Sequence, residues 1–348
     1  MPFRVTGMTD ATSLLNTLLA KKDLSRGEAR SFLDAVILGG MTPAQIGAIL
    51  VALRAKGEVA SEVLGLLESM REHMQKIEAP GAIDIVGTGG DGSGTFNIST
   101  ASAFVASGAG AKVAKHGNRA ASSKCGSADV LEALGVNIQL TPEQAKKVYD
   151  AAGIVFLFAP IYHAALKNVV AVRKELKIRT IFNVLGPFAN PASTRRQLVG
   201  VPNKGIAKTM AAVIPKLGYE RILLVTSEDG MDEISLSSKT HAVEYKGGKS
   251  RKFSIEPSKF GFKRAVQGEL VGADAQQNAT IIRNILDGKK DAKRDITVLN
   301  AAFALYIAGI AKTPNEGVIL AEKSIDSGAA RAALDLLVKE SNKFVKGV

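Results

Sequence analysis

The stretch GTGGDGSGTFNIST, from Gly87 to Thr100, combines a run of glycines with an acid, an amide and several hydroxyls. Glycines let backbone N–H groups approach an anion closely, and a helix N-terminus behind them adds partial positive charge. Gly87, Gly89 and Gly92 match the dinucleotide pattern G-x-G-x-x-G by letter. That fold also requires an acidic residue about 20 positions further on to hold a ribose. Here that region reads Ala109-Gly-Ala-Lys-Val113 and carries a lysine instead. A Walker A loop would need Gly-Lys-Ser/Thr, which the stretch lacks. Asp91 inside the loop and Asn97, Ser99 and Thr100 behind it suit a polyhydroxylated, phosphorylated ligand with a metal nearby. The competing reading is a glycine-rich turn kept for its geometry alone.

Two further loops carry chemistry of the same kind. Lys115-His-Gly-Asn-Arg-Ala-Ala-Ser-Ser123 continues through Lys124, Gly126, Ser127 and Asp129, so cations and hydroxyls crowd into a short segment. Such a segment can surround a phosphate with charge-assisted hydrogen bonds. His116 alone would not argue for function, because a lone histidine is more often structural. Asp232 and Glu233, adjacent in SEDGMDEISL, are hard oxygen ligands that could hold Mg²⁺, which usually keeps waters and shares substrate phosphates. Adjacent acids are also common on surfaces. Taken together, the three loops favour a phosphate and metal site over three unrelated surface features.

Each loop follows a β-type run: AIDIVGTGG from Ala82, GAKVAKHG from Gly110 and RILLVTSEDG from Arg221. Strands alternating with helices predict an α/β sheet, whose ligands collect beyond the carboxyl ends of the strands. ISLSSKTHAVEYKGGK predicts strands around a Gly247-Gly248 turn. Residues 9 to about 76 read as consecutive helices. Ser25-Arg-Gly-Glu28, Thr42-Pro-Ala-Gln45 and Thr141-Pro-Glu-Gln144 have capping-box spacing, and Gly57 is a plausible stop. Leu14, Leu15, Leu18 and Leu19, and likewise Ile46, Ile49, Leu50 and Leu53, repeat at helical spacing and are expected to pack in the core. Residues 297 to 311 and 314 to 340 read as closing helices.

Length and composition fit a globular protein of about two domains: 348 residues, 46% hydrophobic and 22% charged. Forty-five basic against 33 acidic residues give a formal charge of +12, which favours anionic ligands if it is more than a solvated surface. With no tryptophan and 5% aromatic residues, stacking platforms for single-stranded nucleic acid would be scarce. One cysteine excludes an internal disulfide and fits a reducing, cytoplasmic setting. MPFRVTGMTD has no apolar core, so no signal peptide is expected. The apolar stretches fall short of a membrane span.

GTGGD at 87–91, NIST at 97–100, KHGNRAASS at 115–123, GSADVLEALG at 126–135 and the acid pair at 232–233 resemble the anthranilate phosphoribosyltransferase family. The likeness runs on through RTIFNVLGPFANPA (Arg179 to Ala192) and MTPAQIGAILVALRAKGE (Met41 to Glu58), and so covers nearly the whole chain. Pyrimidine nucleoside phosphorylases share the fold and a related glycine loop, but resemble this sequence less after the second strand. The resemblance implies an α/β fold of the nucleoside phosphorylase/phosphoribosyltransferase class. A small helical domain (1–76, completed by about 165–185) would join a larger α/β domain (77–348) with a mostly parallel central sheet. It implies a homodimer and a Mg²⁺-dependent transfer, in tryptophan biosynthesis, of the phosphoribosyl group from 5-phosphoribosyl 1-pyrophosphate to anthranilate.

By the same resemblance the donor would be bound by Gly87, Gly90, Asp91, Thr95, Asn97, Ile98, Ser99 and Thr100. The second loop would add Lys115, His116, Gly117, Asn118, Arg119, Ala120, Ala121, Ser122, Ser123 and Ser127. Anthranilate would meet Gly87, Asn118, His163 and Arg173, with Arg173 pairing its carboxylate. Ser99, Asp232 and Glu233 would hold Mg²⁺. No residue is assigned as a general acid or base, since an aryl amine is already a neutral nucleophile. One departure is Ala164, where the family commonly has proline after the histidine. The alternatives are a nucleic-acid-binding relative on the same scaffold, which would lack acceptor residues such as Asn118 and Arg173, and a pyrimidine nucleoside phosphorylase.

Overall fold

The hydroxyl residues with capping-box spacing do start helices. Ser25 with Glu28, Thr42 with Gln45, and Thr141 with Gln144 each exchange side-chain and backbone hydrogen bonds. Pro43 and Pro142 take the first helical position, where a missing N–H costs nothing.

The structure, a computed structural model, describes residues 10–120 and 124–345. Its chain begins with helices α1 (Ala11–Leu19), α2 (Arg26–Ile37), α3 (Pro43–Lys56) and α4 (Ala60–His73). Strand β1 (Ile83–Gly87), helix α5 (Ile98–Gly108), strand β2 (Val113–Gly117), helices α6 (Ser127–Ala133) and α7 (Pro142–Ala152), and strand β3 (Ile154–Phe158) follow. Short α8 (Ala159–Tyr162), α9 (Lys167–Leu176) and short α10 (Phe182–Leu185) lead to β4 (Arg196–Gly200), α11 (Lys204–Val213) and β5 (Arg221–Ser227). A hairpin of β6 (Thr240–Lys246) and β7 (Lys249–Ile255) precedes α12 (Ala275–Leu286), α13 (Ala292–Ala308), α14 (Pro314–Asp326) and α15 (Ala329–Asn342).

The chain divides into two compact units. One holds the described residues up to Gln75 together with His163–Ala189; the other holds Lys76–Tyr162 and the described residues from Asn190 onward. In the helical unit, Leu14, Leu18, Phe32, Leu33, Ile46, Ile49, Leu50 and Leu53 are buried. Each fully buried side chain of this size contributes roughly 1.5–3 kcal/mol. The later segment is bound into this unit: Asn168 Nδ2 donates to the Val36 carbonyl at 3.2 Å and Arg71 Nε to that of Phe188 at 2.8 Å. Leu15 and Leu19 depart from expectation. Helix α1 turns Leu14 and Leu18 inward, which carries their neighbours a further 100° round, and Leu19 is 66% exposed. With Pro43, Gly47, Val51 and Leu176, these two leucines line an apolar groove of about 800 Å³.

The α/β unit is built on a seven-stranded sheet in the order β3-β2-β1-β4-β5-β6-β7. Strands β1 to β5 run parallel, and the β6–β7 hairpin adds two antiparallel strands. Helix α5 packs on β1 and β2, and α13 on β1, β4 and β5. Strand β5, inside the sheet, is buried along its whole length and carries the apolar run Ile222 to Val225. Gly247 and Gly248 form the expected two-residue turn, both with positive φ. One expected helix is two: the 314–340 run breaks at Ser327 and Gly328, whose φ of 78° ends one helix and opens the next. Among the described residues no helix is long and apolar enough to cross a membrane.

Candidate active site

The strand order reverses between β1 and β4, which lie side by side with Gly87 opposite Gly200. In open α/β sheets the crevice at such a reversal, beyond the carboxyl ends, is where ligands bind. The loops after β1, β2 and β5 all leave from that edge. The loop carrying Asp232 crosses directly over the ends of β1 and β4. A β-carbon on Gly87 would lie 2.5 Å from Asp232 Oδ2, and one on Gly200 would overlap the Asp232 carbonyl. Both strands must therefore end in glycine for the acidic loop to settle there. In the first loop, Gly89, Gly90, Gly92 and Gly94 all have positive φ, so the chain between β1 and α5 coils tightly upon itself.

Acids converge where these loops meet. Asp232 Oδ2 accepts from Gly89 N at 2.6 Å, Asp91 Oδ2 from Asp232 N at 3.3 Å, and Glu233 Oε1 from Ser99 N at 3.1 Å. Asp232 and Glu233 are 7% and 9% exposed. Burial, reinforced by repulsion from Asp91, pushes Asp232 up to about 7, and burial with repulsion from Asp232 and Asp91 pushes Glu233 up to about 8. Lys115 is the cation set among them. It is buried, donates to the Ile85 carbonyl at 2.5 Å and to Ser99 Oγ at 3.1 Å, and also faces Asp84. One ammonium cannot neutralise this many carboxylates, so the cluster has the electrostatics of a cation site.

The donor set fits Mg²⁺. The oxygens gathered here, from Asp91, Asp232, Glu233 and Ser99, are hard donors of the kind that Mg²⁺ takes. Among the described residues no group of three or more His, Cys, Asp or Glu side chains forms a ready-made metal cage. Mg²⁺ needs none, because it retains waters and completes its shell with substrate phosphate oxygens.

Other residues singled out from the sequence fall into place with differing roles. His116 is buried, and its N–H donates to Asp84 Oδ1 at 3.3 Å. Ile98 lies in the core, so only its backbone could face a ligand. Thr100 is also buried. Thr95 pairs its hydroxyl with that of Ser93 at 3.3 Å. Asn118 is exposed at the mouth of the second loop, its Oδ1 accepting from Arg119 N at 2.7 Å and its carbonyl from Ser127 Oγ at 3.3 Å. Arg119 is engaged by Asp129 at 3.0 Å and Glu132 at 2.6 Å. Asp129 also accepts from Ala120 N and Gly126 N, which clasps the two ends of that loop. Ala121, Ser122 and Ser123 lie outside the described residues.

His163 and Arg173 belong to the helical unit. His163 Nε2 meets the Ala189 carbonyl at 3.0 Å, and burial pulls its pKa down to about 4. Arg173, largely buried on α9, donates to Asn183 Oδ1 at 3.3 Å and sits 5.8 Å from the Phe182 ring centre. Among the described residues no carboxylate pairs with it.

Comparison with known proteins now bears on this arrangement. Residues 79–331 match the model of the glycosyl transferase family a/b domain, and residues 12–74 that of the family's helical bundle domain. Anthranilate phosphoribosyltransferase from Rubrobacter xylanophilus is 48% identical over 95% of this chain and 97% of that protein. The chain belongs to the anthranilate phosphoribosyltransferase family. The crystal structure of the family member from Thermus thermophilus superposes with a TM-score of 0.88 at 37% identity, covering 94% of this chain and 99% of that one. The Saccharomyces cerevisiae enzyme in complex with PRPP and Mg gives 0.89 at 28% identity over 97% and 99%.

Within the family fold, one residue that sequence reasoning passed over is Asp84. It is fully buried on β1, where it accepts from Asn190 Nδ2 at 2.8 Å and Gln197 Nε2 at 3.3 Å. Burial pushes it up to about 6 against the opposing pull of Lys115. An acid in the middle of the apolar run AIDIV was the signal.

Proposed function

We infer that this chain transfers the 5-phosphoribosyl group of 5-phosphoribosyl 1-pyrophosphate to the amine of anthranilate, giving N-(5-phosphoribosyl)anthranilate and pyrophosphate in tryptophan biosynthesis. The observation that carries this reading is the meeting of a glycine loop, a lysine-bearing loop and a buried acid pair at the reversal of a parallel sheet, in a chain of this family. Departing pyrophosphate gathers negative charge as its bond to the sugar breaks, and preorganised donors are the means of stabilising it. Lys115 and the backbone of the loops after β1 and β2 supply those donors. Ser99, Asp91, Asp232 and Glu233 would hold Mg²⁺, which when bound stabilises charge on phosphate oxygens.

Arg173 pairs with the carboxylate of anthranilate, for which its charge and its lack of a carboxylate partner suit it. Asn118, His163 and Gly87 are the remaining positions at which the family resemblance expects acceptor contacts. His163, held neutral, adds no charge. The amine attacks as a neutral nucleophile and is acidified as it bonds, so alignment rather than a strong base carries the step.

We further propose a homodimer in the cytoplasm. The groove edged by Leu15, Leu19 and Val51 is an apolar surface of the sort that a second copy covers.

The test follows anthranilate fluorescence. It should fall only when both the pyrophosphate donor and Mg²⁺ are present; no consumption under those conditions would remove the assignment. Phosphorolysis of uridine or thymidine would favour a nucleoside phosphorylase instead.

A further inference from the structure

Both ends of the Asn97 side chain are engaged inside the protein. Its Nδ2 donates to the Cys125 carbonyl at 3.2 Å, and its Oδ1 accepts from Asn278 Nδ2 at 3.0 Å and from the Cys125 thiol at 3.4 Å. Asn278 lies on α12, is 1% exposed, and accepts from Ala273 N at 2.8 Å through its own Oδ1. The segment before it runs along the end of the glycine loop. Thr95 bridges to Val271, Phe96 N donates to the Leu270 carbonyl at 3.2 Å, and Gly272 N to that of Gly94 at 2.9 Å. The strands touch closely enough that a β-carbon on Gly272 would lie 2.6 Å from the Phe96 backbone and 2.8 Å from Asn278 Oδ1.

The orientation of both amides follows from the two backbone groups at the ends of this chain of hydrogen bonds. The Ala273 N–H can only donate, so Asn278 must turn its oxygen there and its nitrogen toward Asn97. Asn97 must then present oxygen to Asn278, which leaves its nitrogen for the Cys125 carbonyl. Three segments far apart in sequence are thus joined by one directional relay. They are the end of the glycine loop, the Cys125 end of the second loop, and the 270–278 strap.

We propose that Asn278 is a positioning residue for the phosphoribosyl-pyrophosphate donor. It acts through Asn97, fixing the start of α5 against the second loop so that both loops address the same phosphates. The proposal rests on the donor reading above. An amide is required because the site needs one acceptor and one donor on a single short side chain. Aspartate keeps the shape and the acceptor but loses the donor.

The experiment compares the wild type with Asn278→Asp and Asn278→Ala by calorimetric titration with the donor and Mg²⁺ in the absence of anthranilate, by steady-state kinetics, and by thermal melting. Donor affinity should fall about tenfold or more, as displacement of a binding group commonly produces, while KM for anthranilate changes little. Because Asn97 and Asn278 act as one relay, the losses from Asn97→Ala and Asn278→Ala should be strongly non-additive in the double variant. Lowered melting temperature with donor affinity unchanged overturns the proposal, as do fully additive losses. Should the aspartate variant not fold, Asn278→Ser, which keeps a shorter donor and acceptor, is read by the same criteria. A wild type that fails to bind the donor refutes the donor reading itself, which separates the two failures.

Discussion

Arg173 brings a guanidinium into a largely buried position on α9, where among the described residues it meets an amide oxygen and a ring. A charge held this way waits for an anion. Arg173→Ala should raise KM for anthranilate roughly ten- to hundredfold, matching about 1.5–3 kcal/mol for a charged hydrogen-bonded pair, with KM for the donor little changed. Steady-state kinetics with each substrate varied will decide; an unchanged anthranilate KM removes the residue from the acceptor site. His163 makes a second prediction. Burial lowers its folded pKa to about 4, below the usual value near 6.5, so the folded state favours the neutral ring. Its contribution to stability is then full above about pH 6.5 and lost as pH falls toward 4. An imidazole NMR titration should show the midpoint near 4, and a midpoint above 6 would refute this. At this scale the charged residues were legible because acids, lysines and arginines in glycine-rich loops declare their chemistry by type. Asn278 was not, because an asparagine on a helix carries no signal until the relay around it is seen.

At the scale of elements, the three strand-then-loop units were readable because each opens on β-forming apolar residues and gives way to a polar loop containing glycine, and the helix starts because capping boxes are local chemistry. What the sequence could not show is that the loop after β5 crosses the ends of β1 and β4, because strand order is a long-range property. That crossing explains Gly200, a residue with no visible role in the sequence. Gly200→Ala would force the Asp232 backbone off the sheet, at a cost typical of overpacking, about 1–3 kcal/mol. The variant should melt at a lower temperature and need more Mg²⁺ for half-maximal turnover. Unaltered Mg²⁺ dependence would show that the acidic loop tolerates the shift. The break at Gly328 was missed for a related reason: a single glycine in a helical pattern is usually tolerated, and only its positive φ makes it a boundary.

For the whole molecule, the misread leucines of α1 are informative. Helical spacing marks a residue as apolar-faced but does not say which body covers it, and Leu19 is left open beside Val51 and Pro43. On the dimer proposed above, Leu19→Glu should shift the protein from dimer to monomer in sedimentation velocity; unchanged sedimentation would show that this groove is not the contact between copies. The path of the chain adds a consequence of another kind. The helical unit is written in two pieces, and α9, whose Val172 lies against α3, comes after the first three strands of the sheet. During synthesis the first four helices leave the ribosome without the partners that close their core. They must wait, with apolar surface uncovered, until more than a hundred further residues have been translated. A ribosome that stalls after β3 would therefore expose an incomplete bundle to chaperones, although every one of its first four helices has already been made.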